Sequence, residues 1–127
     1  ELINARVGRQ LPELIEVAGN DQTHAANSIV IFNVGNNNQI TESTFVEMMD
    51  IVKNQPQIIV INTAVPRPWR ATNNEIVRSV LLRYPNATLI DWEAISQNHP
   101  EFFASDGVHL NPPGANAYVS AILEKLK

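Results

Sequence analysis

Cysteine is absent from the 127 residues of the sequence. This absence excludes disulfide frameworks, thiolate nucleophiles and cysteine-rich zinc sites within it. Charged residues are also few, at 17%, and the net charge is −4. Because basic residues form no cluster of more than two, a surface that follows nucleic-acid phosphates is not expected. Long apolar runs are missing as well, since none approaches the ~18 residues that a membrane-spanning helix requires.

The composition that remains is typical of a globular protein. Hydrophobic residues make up 44% of the chain, which is enough for a buried core at this length. No internal repeat, low-complexity tract or linker interrupts the sequence. We therefore expect one domain over residues 1–127.

Apolar, β-branched runs predict two buried strands, SIVIFNV at 28–34 and QIIVINT at 57–63. These runs are continuous rather than alternating, which is typical of strands covered on both faces of a parallel sheet. Two weaker candidates are LINARV at 2–7 and ATLIDW at 87–92.

Helical periodicity separates the predicted strands. Apolar residues recur at i, i+3, i+4 and i+7 from Phe45 to Val52, and nearly so from Ile76 to Tyr84. A last helix is predicted over about 112–126, with Asn111 at its cap and prolines in its first turn. Its expected buried face consists of Ala115, Tyr118, Val119, Ile122, Leu123 and Leu126. Alternating strands and helices predict an α/β fold with a parallel sheet and right-handed crossovers.

Polar segments follow the predicted strands, where the carboxyl ends of a parallel sheet collect ligands. They are VGRQ at 7–10, VGNNNQ at 34–39, NTAVPRPW at 62–69 and, before the last helix, SDGVHL at 105–110. Glycines allow close approach of the backbone, and asparagines supply amide donors. These segments therefore indicate a site that can hold an oxyanion.

Each polar segment also has an ordinary structural interpretation. Gly8 and the asparagines at 36–38 suit turns and helix caps, and Asp106 suits an Asx turn. In the VPRPW segment, Trp69 can cover the core while Arg67 points to water. We assign no role to His24 or His99, and strand-end capping explains Asp91.

Two chemical interpretations remain for Asp106 and His109. A metal site would require a further His, Cys or carboxylate nearby, and neither neighbourhood offers one convincingly. Nucleophilic catalysis requires His109 to take a hydroxyl proton while Asp106 orients the imidazole ring. That interpretation also requires a serine.

The order and spacing of these residues resemble the SGNH hydrolase superfamily. Its blocks are a Gly-Asp-Ser turn, a later glycine, a Gly-x-Asn and a terminal Asp-x-x-His; Gly8, residues 35–37 and residues 106–109 match the last three. More narrowly, VGRQ, NTAVPRPW, NATLIDW and FFASDGVHLNPPGANAYV resemble the extracellular C-terminal domain of OatA-type peptidoglycan O-acetyltransferases of Gram-positive bacteria. The resemblance covers essentially the whole chain. It implies a three-layer flavodoxin-like parallel sheet with helices on both faces.

The resemblance also implies the roles of several residues in acetyl transfer through an acyl-serine. His109 is the general base and Asp106 holds it. The Gly8 N–H and the Asn37 side chain stabilise the oxyanion. Arg67 and Trp69 are candidates for lining the substrate site. We expect no metal and no cofactor.

The partners that the resemblance implies are a peptidoglycan glycan strand and an acetyl donor. The acceptor is the C6 hydroxyl of muramic acid, and an upstream membrane acyltransferase domain would tether the protein to the extracellular face of the plasma membrane. Two other classes of protein stay open. One is a non-catalytic, carbohydrate-binding relative, and the other is an unrelated flavodoxin-like signalling or nucleotide domain, which would lack its usual G-x-G-x-x-G, P-loop and acidic Mg²⁺ cluster here.

The Gly-Asp-Ser block of the family has no counterpart in the chain. None of the serines stands in such a turn; they are Ser28, Ser43, Ser79, Ser96, Ser105 and Ser120. Relative to the family, we expect an N-terminally truncated domain that lacks its first strand and its nucleophile, and that is inactive alone. The family strand order 2-1-3-4-5 would place that strand between residues 2–7 and 28–34. The open edge is expected to expose Ile29, Ile31 and Val34 and to favour a homodimer with the Gly8 loop displaced.

Overall fold

A three-stranded parallel sheet lies at the centre of the computed structural model, which describes residues 29–126. Its strands, in the spatial order β1-β2-β3, are β1 (Ile29–Asn33), β2 (Gln57–Ile61) and β3 (Ala87–Ile90). Both strand pairs are parallel, with Ile31 opposite Ile59 and Val60 opposite Leu89. The predicted strands at 28–34, 57–63 and 87–92 are confirmed within this range. The candidate strand at 2–7 and the Gly8 loop lie outside the described residues.

Helices cover both faces of this sheet. They are α1 (Glu42–Val52), α2 (Arg70–Leu81), α3 (Trp92–Ser96), the 3₁₀ turn (Pro100–Phe102) and α4 (Pro112–Lys125). The predicted α/β class, with helical layers on either side of a parallel sheet, is confirmed. Within residues 29–126, no helix combines the length and the apolar character needed to cross a bilayer.

Helices α1 and α2 pack on the face of the sheet that carries Phe32, Ile58 and Val60. The buried apolar side chains of the two helices follow the predicted helical spacing and are Phe45, Met48, Met49, Val52, Val77, Val80 and Leu81. Thr41 caps α1 by accepting a hydrogen bond from the Thr44 N–H. The 3.6-residue periodicity in the sequence therefore identified both buried faces correctly.

The opposite face of the sheet is covered by an aromatic cluster around Trp92. The Trp92 ring stacks on Phe102 with their centroids 5.9 Å apart, and Tyr118 meets it edge-on at 5.1 Å. Beneath these rings lie Ile59, Ile61 and Ile90 of the three-stranded sheet. The cluster fixes the 3₁₀ turn and α4 to the sheet.

Helix α4 begins where the sequence predicts, but the predicted buried face is only partly correct. Tyr118 and Ile122 face inward as predicted. Val119 and Leu123 are 52% and 56% exposed. Ala115 and Leu126 are exposed as well. The residues that face inward are Gly114, Ala117, Tyr118, Ala121 and Ile122.

The physical reason for this rotation is the position of Gly114. A Cβ atom at Gly114 would lie 2.2 Å from the Phe102 carbonyl oxygen, so the helix backbone packs directly on the 3₁₀ turn. This contact turns the Gly114 side of α4 toward the sheet. The Asn111 side chain does not cap the helix but donates to the Phe103 carbonyl at 2.7 Å.

Strand β1 forms one edge of the described sheet. Ile29 is 46% exposed and Ile31 is 41% exposed, in agreement with the expectation for these two residues. The expectation that Val34 is exposed was wrong, because its side chain is buried in the core beneath α1 and α2. The Val34 N–H also extends the strand ladder by donating to the Ile61 carbonyl at 3.1 Å.

Candidate functional site

Asp106 and His109 form a pair in the loop that precedes α4. One carboxylate oxygen of Asp106 accepts from the Val108 N–H at 2.8 Å and from the His109 N–H at 3.0 Å. The other carboxylate oxygen contacts the His109 Nδ1 atom. This arrangement favours the tautomer with its proton on Nδ1, so Nε2 is the atom that can accept a proton.

The imidazole of His109 is open to solvent. Its side chain is 72% exposed, and within residues 29–126 no hydrogen bond reaches its Nε2 atom. A ring held on one nitrogen and accessible on the other has the geometry of a general base.

Hydrogen bonds hold the pKa of the Asp106 carboxyl at about 2, below its ordinary value of 3.8. The largest cause is the Val108 N–H, followed by the side chain and then the N–H of His109. Each of these groups stabilises the carboxylate rather than the protonated acid. Asp106 is therefore charged wherever His109 works as a base.

We expect the NMR signal of the Asp106 carboxyl carbon to titrate with a midpoint near pH 2. Because the folded pKa is depressed, the contribution of this group to stability is complete above about pH 4 and is lost as the pH falls through about 2. In a His109→Ala variant the midpoint should rise only in part, since the Val108 N–H remains. A midpoint near 4 in the parent protein would contradict the hydrogen-bonded turn.

The turn that carries this pair lies against the segment after β2. Gly107 has a φ of 71°, a left-handed backbone conformation that is strained for residues with a side chain. A Cβ atom there would lie 3.1 Å from Pro66. The loop at 105–110 and the segment at 62–69 therefore meet, as their positions in the sequence predicted.

Asn73, on α2, holds the loop after β1. Its side chain is fully buried. Its amide nitrogen donates to the Gly35 carbonyl at 3.1 Å and to the Asn38 carbonyl at 2.8 Å, and its oxygen accepts from the Ile40 N–H at 2.9 Å. Asn37 is exposed in the middle of the loop that these three hydrogen bonds fix. Sequence reasoning did not identify Asn73.

Asn74, the next residue of α2, holds the segment after β2. Its side chain accepts from the Thr63 N–H at 3.0 Å and donates to the Thr63 carbonyl at 2.8 Å. It also donates to the Glu93 carboxylate at 3.1 Å. Asparagine is a weak helix former, so two of them in succession in a helix were the available signal for these contacts.

The side-chain amide of Asn62, directly after β2, joins this strand to the end of β3. The Asn62 side chain donates to Asp91 at 2.9 Å and accepts from the Glu93 N–H at 3.0 Å. Asp91 in turn caps α3 by accepting from the Ala94 N–H, which confirms the capping interpretation of this residue. The carboxyl edge of the described sheet is thus a continuous network of buried amides.

Two further site predictions concern Arg67 and Trp69, which lie between β2 and α2. The Arg67 side chain is exposed and donates to the Pro66 carbonyl at 3.3 Å. Trp69 is half-buried at the N-terminus of α2. Their contact with a substrate stays a prediction, as do the roles of Asp106, His109 and Asn37.

The residues from Ile29 to Leu126 bring together no three His, Asp or Glu side chains that could hold a metal ion. Among these residues, Asp106 and His109 contact each other and have no third side chain of this kind beside them.

Similarity to known proteins extends along nearly the whole chain, although no family model matches it. Peptidoglycan O-acetyltransferase OatA of Listeria monocytogenes is 37% identical over 121 residues, which are 94% of this chain and 19% of that protein. YrhL of Bacillus subtilis, provisionally named a peptidoglycan O-acetyltransferase, is 33% identical over 98% of this chain and 20% of its own length. SAS0844 of Staphylococcus aureus, provisionally named an O-acetyltransferase, is 37% identical over 98% of this chain and 21% of its own.

The chain thus spans about a fifth of the length of each of these relatives. Identity at this level over so much of the chain shows common descent with that segment. The chain is therefore a relative of OatA-type O-acetyltransferases.

Proposed function

We propose that this chain carries the general base and an oxyanion donor of a serine O-acetyltransferase that acts on peptidoglycan. The observation that carries the proposal is the Asp106–His109 pair, with Nδ1 held by a carboxylate and Nε2 open at the carboxyl edge of the sheet. The names of the relatives supply the reaction class, acetyl transfer. SGNH-type chemistry is a mechanism in which a histidine–aspartate pair carries out acetyl transfer.

The first half of the reaction makes an acetyl-serine. His109 Nε2 takes the proton of a serine hydroxyl as the serine oxygen attacks the carbonyl carbon of an acetyl donor. The tetrahedral intermediate then collapses, and the leaving group departs with the proton from His109. Because none of the serines of this chain stands in a Gly-Asp-Ser turn, we place the nucleophile in another part of the complete protein.

The second half transfers the acetyl group to the glycan. His109 Nε2 takes the proton of the muramic acid C6 hydroxyl, whose oxygen attacks the acetyl carbon, and returns a proton to the serine oxygen. Water in the place of the sugar hydroxyl would give hydrolysis instead. Exclusion of water therefore decides between a transferase and an esterase.

Oxyanion stabilisation falls to the loop after β1. The Asn37 side chain is our candidate donor, with the Gly8 N–H as a second. The Asn73 side chain donates two hydrogen bonds to the loop that contains Asn37 and accepts one from it. These bonds fix the loop before the reaction begins. Such preorganisation is what makes an oxyanion donor effective, because no reorganisation is needed as charge develops.

The surroundings of the site complete the proposal. The complete protein would act at the extracellular face of the plasma membrane, tethered by an upstream membrane acyltransferase domain. Arg67 and Trp69 would contact the substrate, since arginine binds carboxylates and tryptophan stacks on sugar faces. The exposed apolar side chains of Ile29 and Ile31 on edge strand β1 support a homodimer of the isolated chain.

The isolated 127-residue chain should show essentially no turnover of p-nitrophenyl acetate and should form no acyl-enzyme. Oxyanion donors and a base without a nucleophile retain only a small part of catalysis. Mass spectrometry after treatment with a serine-directed sulfonyl fluoride measures this directly. The complete protein encoded by the parent gene is the positive control.

Two results would contradict the proposal. Stoichiometric sulfonylation of the isolated chain would show that one of its own serines is the nucleophile. A complete protein that binds glycan strands but acetylates none would be a carbohydrate-binding relative instead.

A further inference from the structure

A cavity of about 360 Å³ has Phe103 in its lining, two residues before the loop at 105–110. It lies between the segment after β2, helix α3 and the 3₁₀ turn. Its lining residues are Ala64, Arg70, Glu93, Phe103 and the run from Ser96 to Pro100. The sequence pattern predicts no site here, and His99 has no assigned role.

One side of the cavity is the outer ring of an aromatic stack. The His99 ring lies on Phe102, with the ring centroids 4.4 Å apart and the planes 6° from parallel. Phe102 stacks in turn on Trp92 of the core. The Glu101 carboxylate contacts the His99 Nδ1 atom at 2.8 Å and fixes the ring orientation. His99 therefore presents its second face as a flat surface supported from below.

The other side of the cavity is polar but has no unpaired charge. The Arg70 Nε atom lies 3.1 Å from the Glu93 carboxylate, and the Asn74 amide donates to the same carboxylate. Gln97 and Asn98 add two side-chain amides. Asn98 has a φ of 67°, a left-handed conformation that asparagine tolerates better than most residues.

We propose that this cavity binds one pyranose ring of a neutral acetamido sugar in a glycan strand. A sugar presents axial C–H groups to a flat ring and hydroxyl groups to amides and paired charges, and the cavity offers both kinds of surface. Mutual neutralisation of Arg70 and Glu93 disfavours a free anion or cation as the ligand. The inference rests on the proposed function, of which this sugar is part of the acceptor.

The cavity and the proposed base are held in a fixed relation. The segment at 102–104 pairs with the segment at 109–111 through hydrogen bonds from the Ala104 N–H to the His109 carbonyl and from the Asn111 N–H to the Phe102 carbonyl, both 2.8 Å. The Asn111 side chain adds a third bond, to the Phe103 carbonyl. A sugar seated on His99 is thereby positioned relative to the imidazole of His109.

The test is binding of the trimer of N-acetylglucosamine to the 127-residue chain, measured by calorimetry. We expect His99→Ala to weaken the affinity for the trimer about tenfold, because it removes the flat ring on which the sugar would lie. His99→Phe keeps a flat ring and should retain most of the affinity, and circular dichroism checks that both variants fold. Arg78→Ala is the matched control, because Arg78 pairs with Glu75 on the exposed side of α2.

The complete protein separates this inference from the proposed function. There, His99→Ala should raise the KM for a glycan acceptor about tenfold and leave turnover of p-nitrophenyl acetate unchanged. His109→Ala should lower turnover by about 10²–10⁴-fold and leave trimer binding intact. Loss of trimer binding in the His99 variant alone would support the cavity as the sugar site. Full activity of the His109 variant would contradict the proposed function but would leave that result standing.

Three outcomes would overturn the inference. The first is equal affinity of the parent chain and His99→Ala for the trimer. The second is an absence of trimer binding by the parent chain at millimolar concentration. The third is binding of the dipeptide D-alanyl-D-alanine that is lost in the Arg70→Ala variant. That result would make the cavity a carboxylate site for the peptide stem.

Discussion

Replacement of His109 by alanine in the complete protein is expected to lower kcat for acetyl transfer by about 10²–10⁴-fold. In the proposed mechanism the imidazole takes the serine proton, and Asp106 holds the ring through its Nδ1 atom. The measurement is steady-state transfer from an activated acetyl ester to a glycan acceptor, together with the rate of acyl-enzyme formation.

Asn37→Ala is the companion to this variant, with an expected loss of about 10²–10³-fold in kcat. Its loop is anchored by the backbone carbonyls and N–H that Asn73 contacts, so removal of the Asn37 side chain should leave the fold intact. Thermal unfolding checks this. Activity that survives His109→Ala would show that the Asp-x-x-His assignment is wrong.

The second large effect concerns folding and follows from Gly114. We expect Gly114→Ala to destabilise the chain by about 3 kcal/mol or to prevent folding. The new Cβ atom would lie 2.2 Å from the Phe102 carbonyl oxygen and 2.9 Å from the Phe102 carbonyl carbon. Because these are backbone atoms, no change of rotamer relieves the overlap. In an ordinary helix the same substitution stabilises, so the sign of the effect is diagnostic.

Urea denaturation of the isolated chain measures the loss, with Ser120→Ala as the control. Ser120 is exposed on the same helix, and its replacement should change the free energy of unfolding by less than about 0.5 kcal/mol. A Gly114→Ala variant as stable as the parent would mean that α4 and the 3₁₀ turn are further apart than the structure places them.

Much of the fold could be predicted from the sequence because its signals are local. The strands at 28–34 and 57–63 are unbroken apolar runs, and the central strand is buried on both faces as such runs predict. Helices α1 and α2 each carry one apolar stripe, so their buried faces were unambiguous. The observed order β1-β2-β3 agrees with the last three strands of the order 2-1-3-4-5 that the family resemblance implied.

Helix α4 shows where this reasoning fails. Its sequence carries apolar residues on more than one side, including Val119 and Leu123, and periodicity alone favoured the larger side chains. The structure instead turns inward the side that has the smallest residue, Gly114, because close backbone packing on Phe102 requires it. A pattern of hydrophobicity does not record how closely two backbones approach.

The candidate site likewise contains contacts that the sequence predicts and contacts that it does not. Asp106 and His109 are three residues apart in one turn, so their contact could be predicted from spacing. Asn73 reaches residues 33–38 positions away in the chain. Contacts of this kind depend on how the helices pack on the sheet, which the sequence pattern does not contain.

Asn73 and Asn74 are neighbours on α2, and each holds a different loop. The Ile40 amide is bonded to one of these side chains and the Thr63 amide to the other. Detachment of α2 would break both bonds in one event. The two loops therefore belong to a single cooperative unit of local unfolding, because detachment of α2 frees the loop after β1 and the segment after β2 together.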